Sequence, residues 1–250
     1  LTANIIELTE SILIFVFKQS MQLFYKPLIP EGTHHLDEEE SRHAIKVLRL
    51  TAGSEIQLTD GKGSFYSATI KSNHHKKCEF EITSQSKQEA KSTFRHIAIA
   101  PTKNLDRIEW FLEKAVEFGI DKVTFLVCDH SERKILKLDR LEKKAISAMK
   151  QSGQAFLPHL SELTPFKTFI KQIHITNRFI AYVDFGNEVH LKDSFSKEGG
   201  NLVLIGPEGD FSENEVKLAL AGGFQKVSLG ANRLRTETAG IAAVHLINLM

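Results

Sequence analysis

Gly206, Pro207, Glu208 and Gly209 break the chain directly after the apolar run Leu202, Val203, Leu204 and Ile205. Proline withdraws a main-chain donor and fixes φ, and glycine opens the left-handed region, so a strand entering this tetrapeptide turns sharply and leaves amides uncovered. Further on, Leu229 and Gly230 lead into Arg233, Leu234, Arg235, Thr236, Glu237 and Thr238. Uncovered amides with one carboxylate, set beside guanidiniums, hydroxyls and a second carboxylate, suit a polar ligand with adenine-like or ribose-like edges together with an anionic partner. The same text also reads as two ordinary connections between strand and helix.

The flanking elements favour convergence of the two stretches. Leu202 to Ile205 read as a buried strand, and Ser212 with Glu215 form a capping box that opens a helix through Val216 and Leu220. Gly222 and Gly223 stop that helix, a short strand is predicted over residues 225–229, a loop over 231–236, and a last helix from about residue 238 to 249. In open α/β sheets ligands sit outside the carboxyl ends of the strands, so both loops can serve one site.

Taken together, GPEGDFS and LGANRLRTETA resemble the two cofactor-loop signatures of the RsmE family of 16S rRNA (uracil-N3)-methyltransferases, within the SPOUT superfamily. Asp210 stands where the family more often has a second glycine, and Asn232-Arg233 stand where its second loop usually differs. The resemblance implies an α/β fold: a C-terminal trefoil-knotted methyltransferase domain, a parallel sheet with flanking helices, preceded by a small PUA-like β-barrel that binds RNA. It implies S-adenosyl-L-methionine as cofactor, held by Leu204, Ile205, Gly206, Pro207, Glu208 and Gly209 with Leu229, Gly230, Leu234, Thr236 and Thr238. Arg235 and Glu237 are the implied catalytic pair: the guanidinium stabilises negative charge on the uracil carbonyls and the carboxylate accepts a proton. Glu237 also reads as a first-turn carboxylate that complements the helix dipole. Lys103, Arg107, Gln151 and Arg233 are assigned to RNA. The implied partners are 16S rRNA in the small ribosomal subunit or its assembly intermediate and a second copy of the chain in a homodimer, in the cytoplasm.

Composition leaves room for this reading without demanding it. The 250 residues are 42% hydrophobic and 25% charged, an ordinary globular balance. A formal net charge of +1 means that any nucleic-acid contact rests on local patches. Cys78 and Cys128 show no CxxC or Cys/His spacing, so neither a disulfide framework nor a zinc site is expected, and a reducing compartment fits. The pairs His34-His35 and His74-His75 sit in polar text and read as solvated, with no metal site. No apolar run reaches the roughly eighteen residues of a membrane span. GxGxxG, GxxxxGK[ST] and GxSxG are all absent, which disfavours dinucleotide, P-loop and serine-hydrolase chemistry.

In chain order, residues 1–20 hold the apolar run from Ile12 to Phe17 without the basic start of a secretory signal. The family resemblance begins at Met21, and a start placed too far upstream, or an amphipathic appendage, accounts for the rest. Residues 21–88 are expected to form the barrel. A helix is predicted over 41–50, whose Arg42, Lys46 and Arg49 share one face that suits phosphate or water equally. Asp60-Gly61-Lys62-Gly63 mark a hairpin, a polar turn is expected at 72–77, and residues 84–95 read as a linker. Across 89–250, strands at 96–100, 122–128 and 179–184 alternate with helices at 104–118 and 139–151, which argues for a parallel sheet. The stretch DRIEWFLEKAVEFG and Gln151-Ser152 also resemble family text, whereas Lys150 and Gln154 stand where Glu and Arg are expected. Two alternatives remain open: a noncatalytic RNA-binding ribosome-assembly factor, and a methyltransferase of this fold acting on a ribose 2′-OH or another RNA.

Overall fold

A computed structural model describes residues 22–32, 34–183 and 189–249, and the expectations for residues 1–20, Met21 and Asp184 lie outside them. The chain divides into two compact units, Leu1–Glu89 with Lys150–Phe156, and Ala90–Met149 with Leu157–Met250.

In the first unit β1 (Leu23–Tyr25), β2 (Glu55–Thr59), β3 (Ser64–His74) and β4 (Lys77–Lys87) lie side by side in that order. β1 pairs parallel with β2, and the other pairings are antiparallel. Tyr66, Ala68 and Ile70 alternate inward along β3 and pack with Phe24, Leu36, Leu58 and Phe80. The turn between β2 and β3 follows from its residues: Asp60 Oδ1 accepts the amides of Lys62 (2.7 Å) and Ser64 (3.1 Å), and Gly63 takes φ +105°. A Cβ on Gly63 would lie 2.5 Å from the Phe156 ring. Lys150–Phe156 completes this unit: Ala155 donates to Gln88 Oε1 (3.0 Å) and accepts from Gly63 (2.9 Å), and Lys150 Nζ lies 2.5 Å from Glu40.

The helix predicted over 41–50 starts earlier and changes pitch. Asp37 caps α1 (Glu38–Arg42), which then widens into a π-helical turn, His43–Val47. Leu48 donates to His43 and Leu50 to Ala44, which leaves Arg49 outside the helix at φ +57°. Arg42, Lys46 and Arg49 therefore do not share a helix face, because the wider turn alters the angular spacing that a regular helix would give. The turn expected over 72–77 shrinks to His75 and Lys76, and half of the linker expected over 84–95 is strand, with Ser84 and Lys87 paired to Ser67 and Ser64. That end of β4 is exposed on both faces, so ladder bonds hold it without the apolar alternation that reveals a strand.

In the second unit β5 (Phe94–Ile99), β6 (Lys122–Val127), β7 (His159–Pro165), β8 (Asn177–Ala181), β9 (Gly200–Ile205) and β10 (Gln225–Val227) form a six-stranded sheet in the order β10-β8-β9-β5-β6-β7. Every pairing is parallel, as the alternation of strands and helices implies. Ala98, Leu202 and Leu204 face α4 (Phe166–Gln172) and α5 (Glu213–Ala221) through Phe166, Phe169, Ile170, Val216 and Ala219. α2 (Leu105–Phe118) and α6 (Thr236–Asn248) pack on each other, and α6 also packs on β5 and β9. α3 (Leu138–Gln151) ties to α2 through Lys144 Nζ and Glu113 (3.3 Å). α6 starts two residues before its expected position, with Arg235 as N-cap, and β10 ends at Val227.

Gly240 sets how closely α6 seats. A Cβ there would lie 2.6 Å from the fully buried Phe111 ring and 3.0 Å from Ile99 Cδ1. Alanine gains about 1 kcal/mol of helix propensity, but overpacking a closed core costs about 1–3 kcal/mol. Gly240→Ala is expected to destabilise the fold by about 1 kcal/mol in urea unfolding, and a stabilised variant would refute this packing argument.

Candidate functional site

The sheet buries Leu204 completely and Ile205 almost so, and their main chains pair with β8 on one side and β5 on the other. At Gly206 the ladder ends. Asp210 donates its amide to Pro207 O (2.9 Å), closing the turn, and takes φ +63°. Aspartate is among the few residues with a side chain that tolerate this region, because its short polar group bonds locally. Here Oδ1 accepts the Phe211 amide at 2.8 Å. Glycine meets the same requirement without strain, which explains why Asp210 can replace it. Burial raises the Asp210 pKa against the opposing pull of the Phe211 and Val183 amides and the charges of Arg233 and His130.

A strap following β6 fastens this turn from outside. Ser212 Oγ donates to Asp129 Oδ2 (2.6 Å), while the buried Glu215 accepts the Ser212 amide on Oε2 and the Asp129 amide on Oε1, both at 2.9 Å. The expected capping box at Ser212 is present, and Asp129 extends it. His130 Nδ1 lies 3.1 Å from Gly209 O and 3.0 Å from Asp210 O, so its N–H donates to both carbonyls. Arg133 Nε donates to Thr102 O at 2.9 Å, and its other arm donates to Lys103 O. The Lys103 amide in turn donates to Glu208 Oε1 at 3.0 Å. Polar bonds thus join the ends of β5, β6 and β9 above the apolar cluster that holds Ala100, Cys128 and Phe211. Burial and the neighbouring Glu215 drive the Cys128 thiol far above its usual pKa, so it is inert here.

The second loop is held more lightly. Gly230 takes φ +129°, and Ser228 Oγ accepts its amide at 3.1 Å. Arg233 reaches back to Glu208 O at 3.4 Å, which joins the two loops. Among the described residues, the main chain at Ala231, Asn232 and Leu234 makes no hydrogen bond. Leu229 is half-buried, whereas Gly230, Arg233, Arg235 and Thr238 are exposed. Thr236 and Glu237 are buried in the first turn of α6. Glu237 Oε1 lies 3.8 Å from Arg107 Nε, and its Oε2 is buried with no hydrogen-bond partner.

The structure therefore brings Pro207, Glu208, Gly209, Lys103 and Arg233 together, and separately Arg107 with Glu237. Pro207 is buried and Glu208 exposed, while Lys103 Nζ is paired with Glu132 at 2.8 Å. Leu204 and Ile205 contribute position through the sheet rather than side chains. Arg42, Lys46, Arg49 and Gln151 belong to the first unit. Sequence reasoning missed Asp129, His130 and Arg133. Their bonds cross between loops, and the only local hint is a polar stretch after a strand end, where sites collect.

A family profile described as RNA methyltransferase domain matches residues 89–248. The chain belongs to that family. A second profile, the RNA methyltransferase PUA domain, matches residues 36–83. Similarity to whole proteins extends over most of the chain. A probable rRNA-methyltransferase from Porphyromonas gingivalis is 45% identical, covers 92% of this chain and 98% of its own, and has a TM-score of 0.86. The ribosomal RNA small subunit methyltransferase E of Neisseria gonorrhoeae, solved bound to S-adenosyl methionine, is 28% identical over 92% and 97%, with a TM-score of 0.80. The Rickettsia conorii protein of that name is 26% identical over 83% of this chain and 86% of its own.

In the methyltransferase domain, Arg133→Ala frees two carbonyls that a charged donor holds, each bond contributing about 1.5–3 kcal/mol. Amide exchange at Lys103 is expected to accelerate about tenfold or more. An unchanged rate by mass spectrometry would show that the strap does not restrain the loop.

Proposed function

We propose that this methyltransferase uses S-adenosyl-L-methionine to methylate N3 of a uridine in small-subunit ribosomal RNA. One observation carries the chemistry: a buried carboxylate oxygen without a donor, Glu237 Oε2, in the first turn of the helix that follows a loop with free main-chain groups. That loop fits the cofactor, because Ala231, Asn232 and Leu234 offer unpaired amides and carbonyls to adenine and ribose edges, with Gly206–Gly209 as the opposing wall. The fit extends the resemblance to relatives whose names specify the small ribosomal subunit.

When bound, the cofactor supplies a methyl group on a sulfonium, a leaving group that needs no acid. The protein must then make N3 of a mostly neutral imide nucleophilic and hold it in line. Orientation contributes on the order of 7–11 kcal/mol. Glu237 is the proton acceptor for N3, and Arg107, 3.8 Å from Oε1, orients its carboxylate. Arg235, exposed at the N-cap of α6, stabilises negative charge on the uracil carbonyls. Lys103, Arg107, Arg233 and Gln151 would then contact the RNA.

The trefoil knot, the homodimer and a cytoplasmic location belong to the same proposal. Both cysteines are free and buried, and no helix among the described residues is long and apolar enough to cross a membrane.

Primer extension on rRNA from a deletion strain is expected to lose one stop, at the modified uridine, and restoration by the purified protein with S-adenosylmethionine would reinstate it. Glu237→Gln should lower kcat by about 10²–10⁴-fold and Arg235→Ala by about 10²–10³-fold, each with cofactor affinity retained by calorimetry. Wild-type turnover in either variant removes that residue from the chemistry. Light scattering at micromolar concentration should give twice the chain mass of 28.2 kDa, and a monomer would refute the dimer.

A further inference from the structure

In a planar trans peptide the carbonyl and the following N–H point in opposite directions, so whatever holds the carbonyls of a turn decides where its amides face. Along residues 207–210 every carbonyl is held. Pro207 O accepts the Asp210 amide at 2.9 Å, Glu208 O accepts Arg233 Nη2 at 3.4 Å, and the Gly209 and Asp210 carbonyls both accept the ring N–H of His130, at 3.1 and 3.0 Å. The peptide between Gly209 and Asp210 is therefore fixed at both ends, its carbonyl on His130 and its amide on Pro207 O. That bond in turn fixes the peptide between Pro207 and Glu208 by its carbonyl and sends the Glu208 amide the other way. The Glu208 and Gly209 amides have no hydrogen-bond partner among the described residues, and both residues are exposed. The main-chain groups that this turn leaves free are donors.

Gly209 supplies an independent observation. Its φ lies outside the left-handed region, so the backbone does not call for glycine there. The three heavy atoms nearest to an added Cβ all belong to His130: Cβ at 3.1 Å, Cγ at 3.5 Å and Nδ1 at 3.7 Å. The missing side chain is what lets this ring come close enough to bond two successive carbonyls.

We propose that His130 is a positioning residue for S-adenosyl-L-methionine: its single N–H holds the turn closed from outside and thereby aims the Glu208 and Gly209 amides at the cofactor, with Gly209 making room for the ring. The role rests on the reading of Gly206–Gly209 as a cofactor wall. His130 acts on the peptide units and never on the reacting atoms, so its loss weakens cofactor binding and leaves the transfer step alone.

The test uses the full chain and separates the N–H from the ring. Alanine at 130 removes both, phenylalanine keeps a ring without the donor, and asparagine keeps an N–H on an atom bonded to Cγ, where Nδ1 stands. Calorimetric affinity for S-adenosylmethionine is expected to fall about five- to tenfold in His130→Ala and His130→Phe and to stay within about twofold of wild type in His130→Asn. The KM for cofactor should rise in step, with kcat on small-subunit rRNA retained at saturating cofactor. Gly209→Ala pushes the ring away and should weaken binding about fivefold in the wild-type background, yet cost almost nothing once His130 is alanine. A general loss of stability does not produce that non-additivity.

Unchanged affinity in both His130→Ala and His130→Phe overturns the proposal. So does an asparagine variant that binds no better than alanine, a Gly209→Ala cost that is equal in the two backgrounds, or a fall in kcat with KM unchanged. Should the alanine variant not fold, the comparison of phenylalanine with asparagine decides the matter. The wall itself is checked by NMR on the wild type, where the Glu208 and Gly209 amide resonances should shift as cofactor is added. Cofactor that shifts them while the His130 variants bind normally removes His130 alone; cofactor that binds without shifting them removes the wall, and the role of His130 with it.

Discussion

Glu215 is the buried charge on which the site depends. The residue is 2% exposed, and its carboxylate caps α5 through the Ser212 amide and accepts the Asp129 amide from the end of a different strand. Moving a carboxylate out of water costs several kcal/mol, and charge-assisted bonds return about 1.5–3 kcal/mol each, aided by the N-terminal dipole of the helix. The arrangement is stable only when both amides are present. A single side chain thus forces the ends of β6 and β9 to keep a fixed separation, and the turn between Gly206 and Ser212 inherits that constraint.

The remaining polar contacts act on a frame already closed by apolar packing. One face of the sheet is sealed by phenylalanines from α4, the other by α2 and α6, where a glycine lets an aromatic ring lie against the helix backbone. Because the strands are parallel, all their carboxyl ends lie on one edge, and every loop named above emerges there. Main-chain groups can then remain unpaired in the 231–234 loop without loosening the fold, since none of the packing relies on them.

Local chemistry is what the sequence displayed. Proline and glycine after an apolar run, a Ser-x-x-Glu box, and the Asp60 turn all signal themselves within a few residues, and each is where it was expected. Nonlocal chemistry was hidden. Arg133 acts on carbonyls of a loop some thirty positions earlier in the chain, with hydrogen-bond separations of 31 and 30 residues. Arg49 was misplaced because one wider helical turn defeats any rule built on regular spacing. α6 began early because Arg235 caps it without a side-chain bond, so the usual Ser, Thr, Asp or Asn marker is missing. The short α4 and the strand before it went unread: Phe166, Phe169 and Ile170 have helical spacing, but the helix is only seven residues long.

Lys150–Phe156 closes a layer whose other members end at Glu89. During synthesis the first unit therefore emerges from the ribosome lacking one wall, with the side of Gly63 that will meet Phe156 open to solvent. Vectorial folding, which normally finishes an N-terminal module first, must here wait for α3 to be made. The unit can close only when Phe156 has been made, more than half-way along the chain.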